Sequence, residues 1–190
     1  MGNKLNVDTV VLIGKTGSGK GTQAKFIAEE FGYKLFSTGD NFRELRLENT
    51  PLGRRVKEDY DEGLLMPHWL ASFLFQKALL GLKDGESIVF EGTGRTLPES
   101  QVFDEVCKWL RRNYVVFYLK VSDEEVIKRQ QKRQRDSLDQ IDKIKKRLEE
   151  YRLHTALGVE FFREKGKLIE IDGEQSPEDV QKEILAYLEK

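Results

Sequence analysis

The stretch Thr9–Phe31, TVVLIGKTGSGKGTQAKFIAEEF, decides the fold. It begins with an apolar, β-branched run at residues 10–13, which is typical of a strand buried on both faces. Gly14, four further residues, Gly19 and Lys20 then give the spacing of a phosphate-binding loop. Apolar residues recur at helical intervals through the rest of the stretch. Strand, glycine-rich loop and helix therefore follow one another in the order that such a loop requires.

The loop is suited to hold a chain of phosphates. Its glycines lack a Cβ atom, so the backbone can take positive φ values and turn several N–H groups toward one anion. Lys20 opens the following helix, where its ammonium can reach the outer phosphates beside the positive end of the helix dipole. The Thr22 hydroxyl and the Glu91 carboxylate are the expected contacts of a Mg²⁺ ion, with water between them and the metal.

The composition indicates one globular domain without a nucleic-acid or membrane partner. The 190 residues include 32 Lys and Arg against 33 Asp and Glu, so no overall field attracts polyanions or a lipid surface. No window approaches the roughly 20 apolar residues that cross a bilayer. Cys107 is the only cysteine, and His68 has no partners at ligand spacing, which excludes an internal disulfide and a zinc site. We therefore expect a cytoplasmic protein.

Four further strands are predicted, and helical patterns separate them. They are Lys34–Ser37, Ser87–Glu91, Tyr114–Leu119 and Lys167–Ile171. Strands and helices that alternate at this spacing indicate an α/β fold, a three-layer sandwich in which helices cover both faces of a five-stranded parallel sheet. Helical spacing further predicts that Phe73 and Trp109 face the core.

Two arginines outside the loop are candidates for a second phosphate site. Residues 37–40, Ser-Thr-Gly-Asp, predict a turn and an N-cap before a helix at about residues 41–48, with Arg43 in its first turn. A cation there opposes the helix dipole, so Arg43 is expected either to serve an anion in front of the helix or to be solvated. Arg95 follows the strand that ends at Glu91 and projects into the same crevice.

The most basic part of the chain lies between the last two strands. Arg129 and Arg133 are four residues apart on one predicted helix face, where two cations repel each other unless an anion lies between them. The apolar stripe of the following helix directs Arg147 away from the core. A solvated charged face is the alternative. A nucleic-acid site is disfavoured because no aromatic residues are interleaved within residues 128–146.

Six motifs, in order, resemble those of the adenylate kinase family of nucleoside monophosphate kinases. They are GKTGSGKGTQ (14–23), STGD with Arg43, GLLMP (63–67), EGTGRT (91–96), RQQKRQR with KKRLEEY (129–135 and 145–151), and IDG (171–173). The resemblance covers nearly the whole chain and implies a P-loop NTPase-like fold. It implies a single domain over residues 1–190, with a helical insertion for the monophosphate at about 37–66 and a very short lid at about 129–139.

The same resemblance implies roles for individual residues. The donor ATP would contact Gly17, Ser18, Gly19, Lys20, Gly21, Thr22, Arg129, Arg133 and Gln175. The acceptor monophosphate would contact Thr38, Arg43, Leu64, Leu65, Met66, Gly92, Thr93, Gly94, Arg95, Glu99, Arg135 and Arg147. The catalytic residues would be Lys20, Arg95, Arg129, Arg133, Arg135 and Arg147. Positive charge of this kind offsets the charge that spreads over the oxygens of a transferring phosphoryl group.

The sequence departs from the family pattern near the second phosphate site and in the lid. Glu91 stands for the usual aspartate and reaches further by one methylene. Thr93 and Gly94 stand for an aromatic residue and a proline, so the turn before Arg95 loses a rigid ring and Arg95 is expected to be less pre-organised. A single residue separates the two lid arginines, which leaves no room for a zinc-binding or β-sheet lid.

Glu99 leaves the identity of the acceptor open. Adenylate members of the family have a glutamine there, whereas an ionised carboxylate only accepts hydrogen bonds and suits the N–H face of guanine or uracil. Thr38 resembles the adenylate members, and Gln101 lies near enough in sequence to replace the glutamine. We expect a Mg²⁺-dependent monomer that uses ATP and AMP. A UMP, CMP or GMP kinase and a catalytically impaired nucleotide-binding regulator are the alternatives.

Overall fold

The computed structural model describes residues 7–133 and 141–189. Its strands are β1 (Thr9–Gly14), β2 (Lys34–Ser37), β3 (Ile88–Glu91), β4 (Tyr114–Lys120) and β5 (Leu168–Asp172). All neighbouring strands pair in parallel, in the order β2-β3-β1-β4-β5. The predicted five-stranded parallel sheet is thus confirmed, with β1 at its centre.

Helices connect the strands and cover the sheet. Those that precede β3 are α1 (Lys20–Phe31), α2 (Thr38–Leu45), α3 (Pro51–Asp61) and α4 (His68–Leu80). Those that follow it are α5 (Leu97–Trp109), α6 (Asp123–Arg133), α7 (Ile141–Glu150), α8 (Ala156–Glu164) and α9 (Pro177–Leu188). A π-helical turn, Tyr151–Thr155, joins α7 to α8. In the described part of the chain, each helix is too short or too polar to cross a membrane.

The central strand buries side chains on both faces of the sheet. Val10 and Leu12 belong to a cluster with residues of α1 and α9. Val11 and Ile13 belong to a second cluster, which includes Phe103 of α5. Successive side chains of a strand point to opposite faces, so β1 alternates between the two clusters and needs apolar residues at every position.

The carboxyl ends of β1 and β3 adjoin at one edge of the sheet. Leu12 pairs in register with Glu91, and the backbone N–H of Gly92 donates to the Leu12 carbonyl oxygen at 3.0 Å. The chain runs outward from β1 to β2 and β3 on one side, and then returns to β4 on the other. Such a reversal of strand order opens a crevice at the carboxyl ends of the strands, where ligands of α/β proteins bind.

Helix α2 begins three residues earlier than the sequence predicted. Ser37 is its N-cap, and Ser37 Oγ accepts a hydrogen bond from the backbone N–H of Asp40 at 3.2 Å, so the helix starts at Thr38. Arg43 consequently lies in the last turn of α2, where the helix dipole favours a cation. The prediction that Arg43 opposes the dipole from the first turn was wrong.

Candidate active site

The glycine-rich loop joins β1 to the start of α1. Gly19 is the N-cap residue, with a φ of 96° that favours glycine. A Cβ atom on Gly19 or Gly21 would meet no described atom within 4 Å, so this side of the loop faces open space. Lys20 is 6% exposed, and its Nζ donates to the carbonyl oxygens of Gly14 at 2.9 Å and Lys15 at 2.6 Å. The loop therefore holds the ammonium against its own backbone.

A cavity of about 710 Å³ is lined by this loop and by three other parts of the chain. They are α2 and α3 with the turn that follows α3, the end of β3 with Arg95, and helices α6 and α7 with the π-helical turn after α7. The cavity volume falls in the range of about 300–1,000 Å³ that is typical of small-molecule sites. The predicted site residues in its lining are Gly17, Gly19, Lys20, Gly21, Thr22, Arg43, Leu64, Leu65, Met66, Glu91, Arg95, Arg129 and Arg147.

Other predicted site residues lie behind the lining or away from it. They are Ser18, Thr38, Gly92, Thr93, Gly94, Glu99 and Gln175. Thr38 and Thr93 are buried and share a hydrogen bond of 3.0 Å between their hydroxyls, which ties α2 to the turn after β3. Gln175 is exposed and donates from Nε2 to Glu183 at 3.1 Å. The side chain of Arg133, the whole of Arg135 and the rest of the predicted lid lie outside what the structure describes.

Glu91 is an ionised carboxylate in the wall of the cavity. Its Oε2 accepts a hydrogen bond from Ser37 Oγ at 2.8 Å. Burial alone would raise the pKa of Glu91, but the charges of Lys20 and Arg95, together with the Ser37 hydrogen bond, hold this pKa below its ordinary value. The carboxylate thus stays charged, under the influence of Lys20 from the loop and of Arg95 from the turn after β3.

Arg43 lines the cavity from α2 and is held there by two neighbours. Its guanidinium forms an ion pair with Asp40, in which Nε donates to Oδ1 at 3.1 Å. Burial works to lower the pKa of Arg43, whereas the Tyr60 hydroxyl and the Asp40 carboxylate raise it above the ordinary value. Arg46 stacks over the ring of Tyr60, with its guanidinium carbon 4.5 Å from the centroid. These contacts orient a permanent positive charge toward the cavity.

The turn after β3 carries Arg95 into the cavity and leaves Glu99 outside it. Arg95 Nε donates to the Gly92 carbonyl oxygen at 2.7 Å. Glu99 is 3% exposed, and its carboxylate accepts hydrogen bonds from the backbone N–H of Arg95 at 3.0 Å and from the Thr96 hydroxyl at 3.3 Å. Burial raises the pKa of Glu99 above its ordinary value, although these two contacts oppose the shift. The Glu99 carboxylate therefore lies against the backbone of Arg95 and does not line the cavity.

Helices α6 and α7 supply two more arginines. Arg129 donates from Nε to Glu125 Oε1 at 2.8 Å and from Nη1 to the Gly173 carbonyl oxygen at 2.8 Å, which joins α6 to the turn after β5. Arg147 lines the cavity beside the turn that follows α3, since a Cβ atom on Gly63 would lie 3.6 Å from Arg147 Cγ. The two arginines therefore add positive charge to the lining of the cavity from α6 and α7.

A family model described as Adenylate kinase matches residues 12–167 of the chain. The chain belongs to the adenylate kinase family. Among its curated relatives is an adenylate kinase of Maricaulis maris, 37% identical over 187 residues, which cover 95% of this chain and 98% of the relative. An adenylate kinase of Archaeoglobus fulgidus is 30% identical over 95% of this chain and 98% of its own length. An adenylate kinase of Thermus thermophilus is 33% identical over 94% of this chain and 96% of its own length. Membership in the family makes this protein a phosphotransferase.

This member of the adenylate kinase family has further cavity residues that the sequence analysis did not assign to the site. They include Tyr60, Gln130, Glu150, Tyr151 and Thr155. Tyr60 follows the buried Val56 by one helical turn, a spacing that indicates only a core position. Glu150 accepts a long hydrogen bond of 3.5 Å from the backbone N–H of Leu65. The π-helical turn that presents Tyr151 and Thr155 has no sequence signal among its residues.

The oxygen atoms near Lys20 in this adenylate kinase family member fit a Mg²⁺ ion. Mg²⁺ prefers hard oxygen ligands and is usually held by one or two carboxylates, by water and by substrate phosphates, rather than by a full cage of protein ligands. Thr22 and the ionised Glu91 both line the cavity. Across residues 7–133 and 141–189, no group of three or more His, Cys, Asp or Glu side chains is arranged to hold a metal by itself.

Proposed function

We propose that this protein transfers the γ-phosphoryl group of ATP to AMP and forms two molecules of ADP. The observation that carries the proposal is a single cavity that joins Lys20 of the glycine-rich loop to guanidinium groups on α2, on the turn after β3 and on α7. Phosphoryl transfer depends on positioning two sets of phosphates and on offsetting their charge, so it needs cations on both sides of one cleft. The names of the relatives supply the two substrates.

The glycine-rich loop binds the donor in this proposal. The backbone N–H groups of Gly17 to Thr22 and the Lys20 ammonium surround the β- and γ-phosphates at the positive end of α1. Arg129 lies beside the turn at Gly173, and this pair holds the donor base or its phosphates. Arg133 and Arg135 close over the transferring group from the lid, as the family pattern implies.

The acceptor phosphate is held by Arg43, Arg95 and Arg147. An oxygen of this phosphate attacks the γ-phosphorus, and the bond from that phosphorus to the bridging β-oxygen breaks in line with the attack. A nucleoside monophosphate is already largely ionised at neutral pH, so the protein needs no general base. Lys20 and the arginines offset the charge on the equatorial oxygens and on the leaving ADP.

Mg²⁺ belongs to the same proposal. The Thr22 hydroxyl and the Glu91 carboxylate would hold the ion through its water molecules. When bound, Mg²⁺ neutralises charge on the β- and γ-phosphate oxygens and makes the γ-phosphorus easier to attack. Ser37 fixes the carboxylate of Glu91 by a hydrogen bond of 2.8 Å, so the water shell meets an oriented acceptor.

AMP is the preferred acceptor in this proposal. The argument for a guanine or uracil acceptor required the carboxylate of Glu99 to face the base, whereas this carboxylate accepts hydrogen bonds from the Arg95 backbone N–H and the Thr96 hydroxyl. Glu99→Gln is therefore expected to leave the ratio of kcat/KM for AMP over UMP and GMP within about twofold of the unaltered protein. A shift of this ratio toward AMP by tenfold or more would support the alternative acceptors.

A coupled assay of ADP formation tests the function. ATP at one fixed concentration is combined in turn with AMP, UMP, CMP and GMP, and the highest kcat/KM is expected with AMP. Absence of turnover with every acceptor, in protein whose circular dichroism shows a folded state, would contradict the proposal. Tight ATP binding by calorimetry in such protein would instead identify the nucleotide-binding regulator. The monomeric state and the cytoplasmic location stay predictions from the sequence.

A further inference from the structure

The turn that carries Arg95 packs against α8 at Gly158. A Cβ atom on Gly158 would lie 2.8 Å from the Gly94 carbonyl oxygen, 2.8 Å from Ser100 Oγ and 3.3 Å from the carbonyl carbon of Arg95. The first two distances are too short for van der Waals contact, so any larger residue must displace the turn or the helix. Glycine is unfavourable inside a helix, and the close approach gives its presence here a physical reason.

Gly94 is enclosed by the same face of α8. Its φ is +72°, and a Cβ atom on Gly94 would lie 2.9 Å from Cε2 of Phe162. Phe162 follows Gly158 by four residues, so the two lie on one side of the helix. The ring of Phe162 is fully buried and packs edge-on against Phe103, with centroids 6.3 Å apart, so it has no room to retreat. Gly94 thus fits between a helix backbone and a fixed ring.

The first turn of α5 holds the other side of the same peptide unit. Ser100 is fully buried, and its hydroxyl lies 3.1 Å from the Gly94 carbonyl oxygen and 3.0 Å from the Thr96 carbonyl oxygen, within reach of both. The Glu99 carboxylate accepts from the backbone N–H of Arg95. The carbonyl of Gly94 and the N–H of Arg95 belong to one peptide unit. Both polar groups of that unit are therefore held by α5, while α8 covers it.

These contacts explain how Arg95 is fixed without a proline before it. A proline ring restricts φ through the chain itself, whereas here the packing of α8 against the Gly94–Arg95 peptide restricts the turn from outside. Helix α8 also continues through the π-helical turn into α7, which carries Arg147. The contact at Gly158 therefore links the turn that carries Arg95 to the continuous helical segment that carries Arg147.

We propose that Gly158 is a positioning residue for the binding of the acceptor phosphate, because only glycine lets α8 hold the Gly94–Arg95 peptide in place. The inference rests on the role proposed above for Arg95. Gly158 does not touch the acceptor itself. Its replacement is expected to weaken binding of the acceptor phosphate and to leave the donor subsite unchanged.

Calorimetry with Gly158→Ala tests the inference with two ligands, AMP and adenosine. The Kd for AMP is expected to rise about tenfold or more, because losing a well-aligned hydrogen bond between a guanidinium and a phosphate costs at least about this much in affinity. The Kd for adenosine, which has no phosphate, is expected to stay within about twofold, as is the KM for ATP. Leu157→Ala is the matched control, since Leu157 is the adjacent residue of α8 and its side chain is 56% exposed.

Unchanged AMP binding in Gly158→Ala, or an equal loss for AMP and adenosine, would overturn the inference. If Gly158→Ala does not fold, Ser100→Ala replaces it, because this change removes the hydrogen bond to the Gly94 carbonyl oxygen without adding bulk. The Kd for AMP is then expected to rise about two- to tenfold. AMP binding without turnover in the unaltered protein would refute the proposed function and leave this comparison valid. Absence of AMP binding to the unaltered protein would refute both.

Discussion

Thr16 Oγ1 donates a hydrogen bond to Gln130 Oε1 across 3.2 Å and joins the glycine-rich loop to α6. Gln130 is fully buried, and a Cβ atom on the neighbouring Gly17 would lie 3.1 Å from Gln130 Cγ. Lys15 adds a second link to α6, because its Nζ lies 2.5 Å from Asp123 Oδ1 in an ion pair. The glycine-rich loop therefore packs against α6, the helix that carries Arg129. A shift of α6 would also move the loop to which we assign phosphate binding.

Thr16→Val is expected to raise the KM for ATP by about two- to tenfold, because it removes one hydrogen bond that contributes about 0.5–1.5 kcal/mol. The valine keeps the shape of the side chain, so the packing against Gln130 stays. Steady-state kinetics with varied ATP measures the effect, and Thr16→Ser serves as the control because it keeps the hydroxyl. An equal rise in the KM for AMP would show that the contact supports the whole domain and not the loop.

Lys20→Met is expected to lower kcat by about 10²–10³-fold, the usual cost of removing one group that stabilises charge in the transition state. Methionine retains the unbranched stem and removes only the ammonium. Single-turnover measurements of ADP formation at saturating ATP and AMP report this loss. Lys57→Met, an exposed change on α3, is the control and should retain full activity. A kcat for Lys20→Met within tenfold of the unaltered value would contradict the role of the ammonium.

Glu99→Gln is expected to gain stability relative to the unaltered protein as the pH rises from 4 to 7. Burial raises the pKa of Glu99 in the folded state, so folding disfavours the ionised carboxyl. The contribution of protonated Glu99 to the free energy of unfolding is fully present below the pKa of this residue in the unfolded chain, about 4.3. This contribution is lost as the pH rises through the pKa of Glu99 in the folded protein. Glutamine stays neutral and its carbonyl still accepts from Arg95. Urea unfolding at several pH values measures the difference, and a constant difference would refute the raised pKa.

Glu91→Gln is expected to raise the Mg²⁺ concentration for half-maximal activity by about tenfold, in line with the effect of groups that orient the ligands of a metal. The pKa of Glu91 is held low, so its carboxylate is charged at neutral pH and glutamine removes a full negative charge. A Mg²⁺ titration after treatment with a chelator gives the comparison. Glu44→Gln, an exposed change on α2, is the control. If the Mg²⁺ dependence of Glu91→Gln equals that of the unaltered protein, Glu91 does not orient the ligands of the metal.

Local sequence predicted the elements around the loop well. The apolar run before Gly14 is a central buried strand, and α1 begins at Lys20 as the loop spacing requires. Helix α3 likewise begins at a local signal, with Thr50 as its N-cap and Pro51 as its first residue, and Thr50 Oγ1 accepts from the N–H of Gly53 at 2.9 Å. These features depend on neighbours within four residues, through allowed backbone angles and capping hydrogen bonds.

Helical periodicity was less reliable about which apolar residues face the core. Phe73 and Trp109 were predicted to be buried, but they are 58% and 78% exposed. The buried face of α5 instead centres on Phe103 and Cys107, which are fully buried. Periodicity marks a broad apolar stripe on a helix, whereas the angle at which the helix docks on the sheet decides which part of that stripe is covered.

By itself, the sequence determined the phosphate loop, the five parallel strands and the family, because these depend on residue types at short, fixed spacings. Only the tertiary structure decided that Glu99 supports the backbone of Arg95, that Thr16 meets Gln130, and that Gly158 closes on Gly94. The last two contacts join segments far apart in the chain. Their geometry follows from how whole helices pack on the sheet, and no local pattern of residues contains that information.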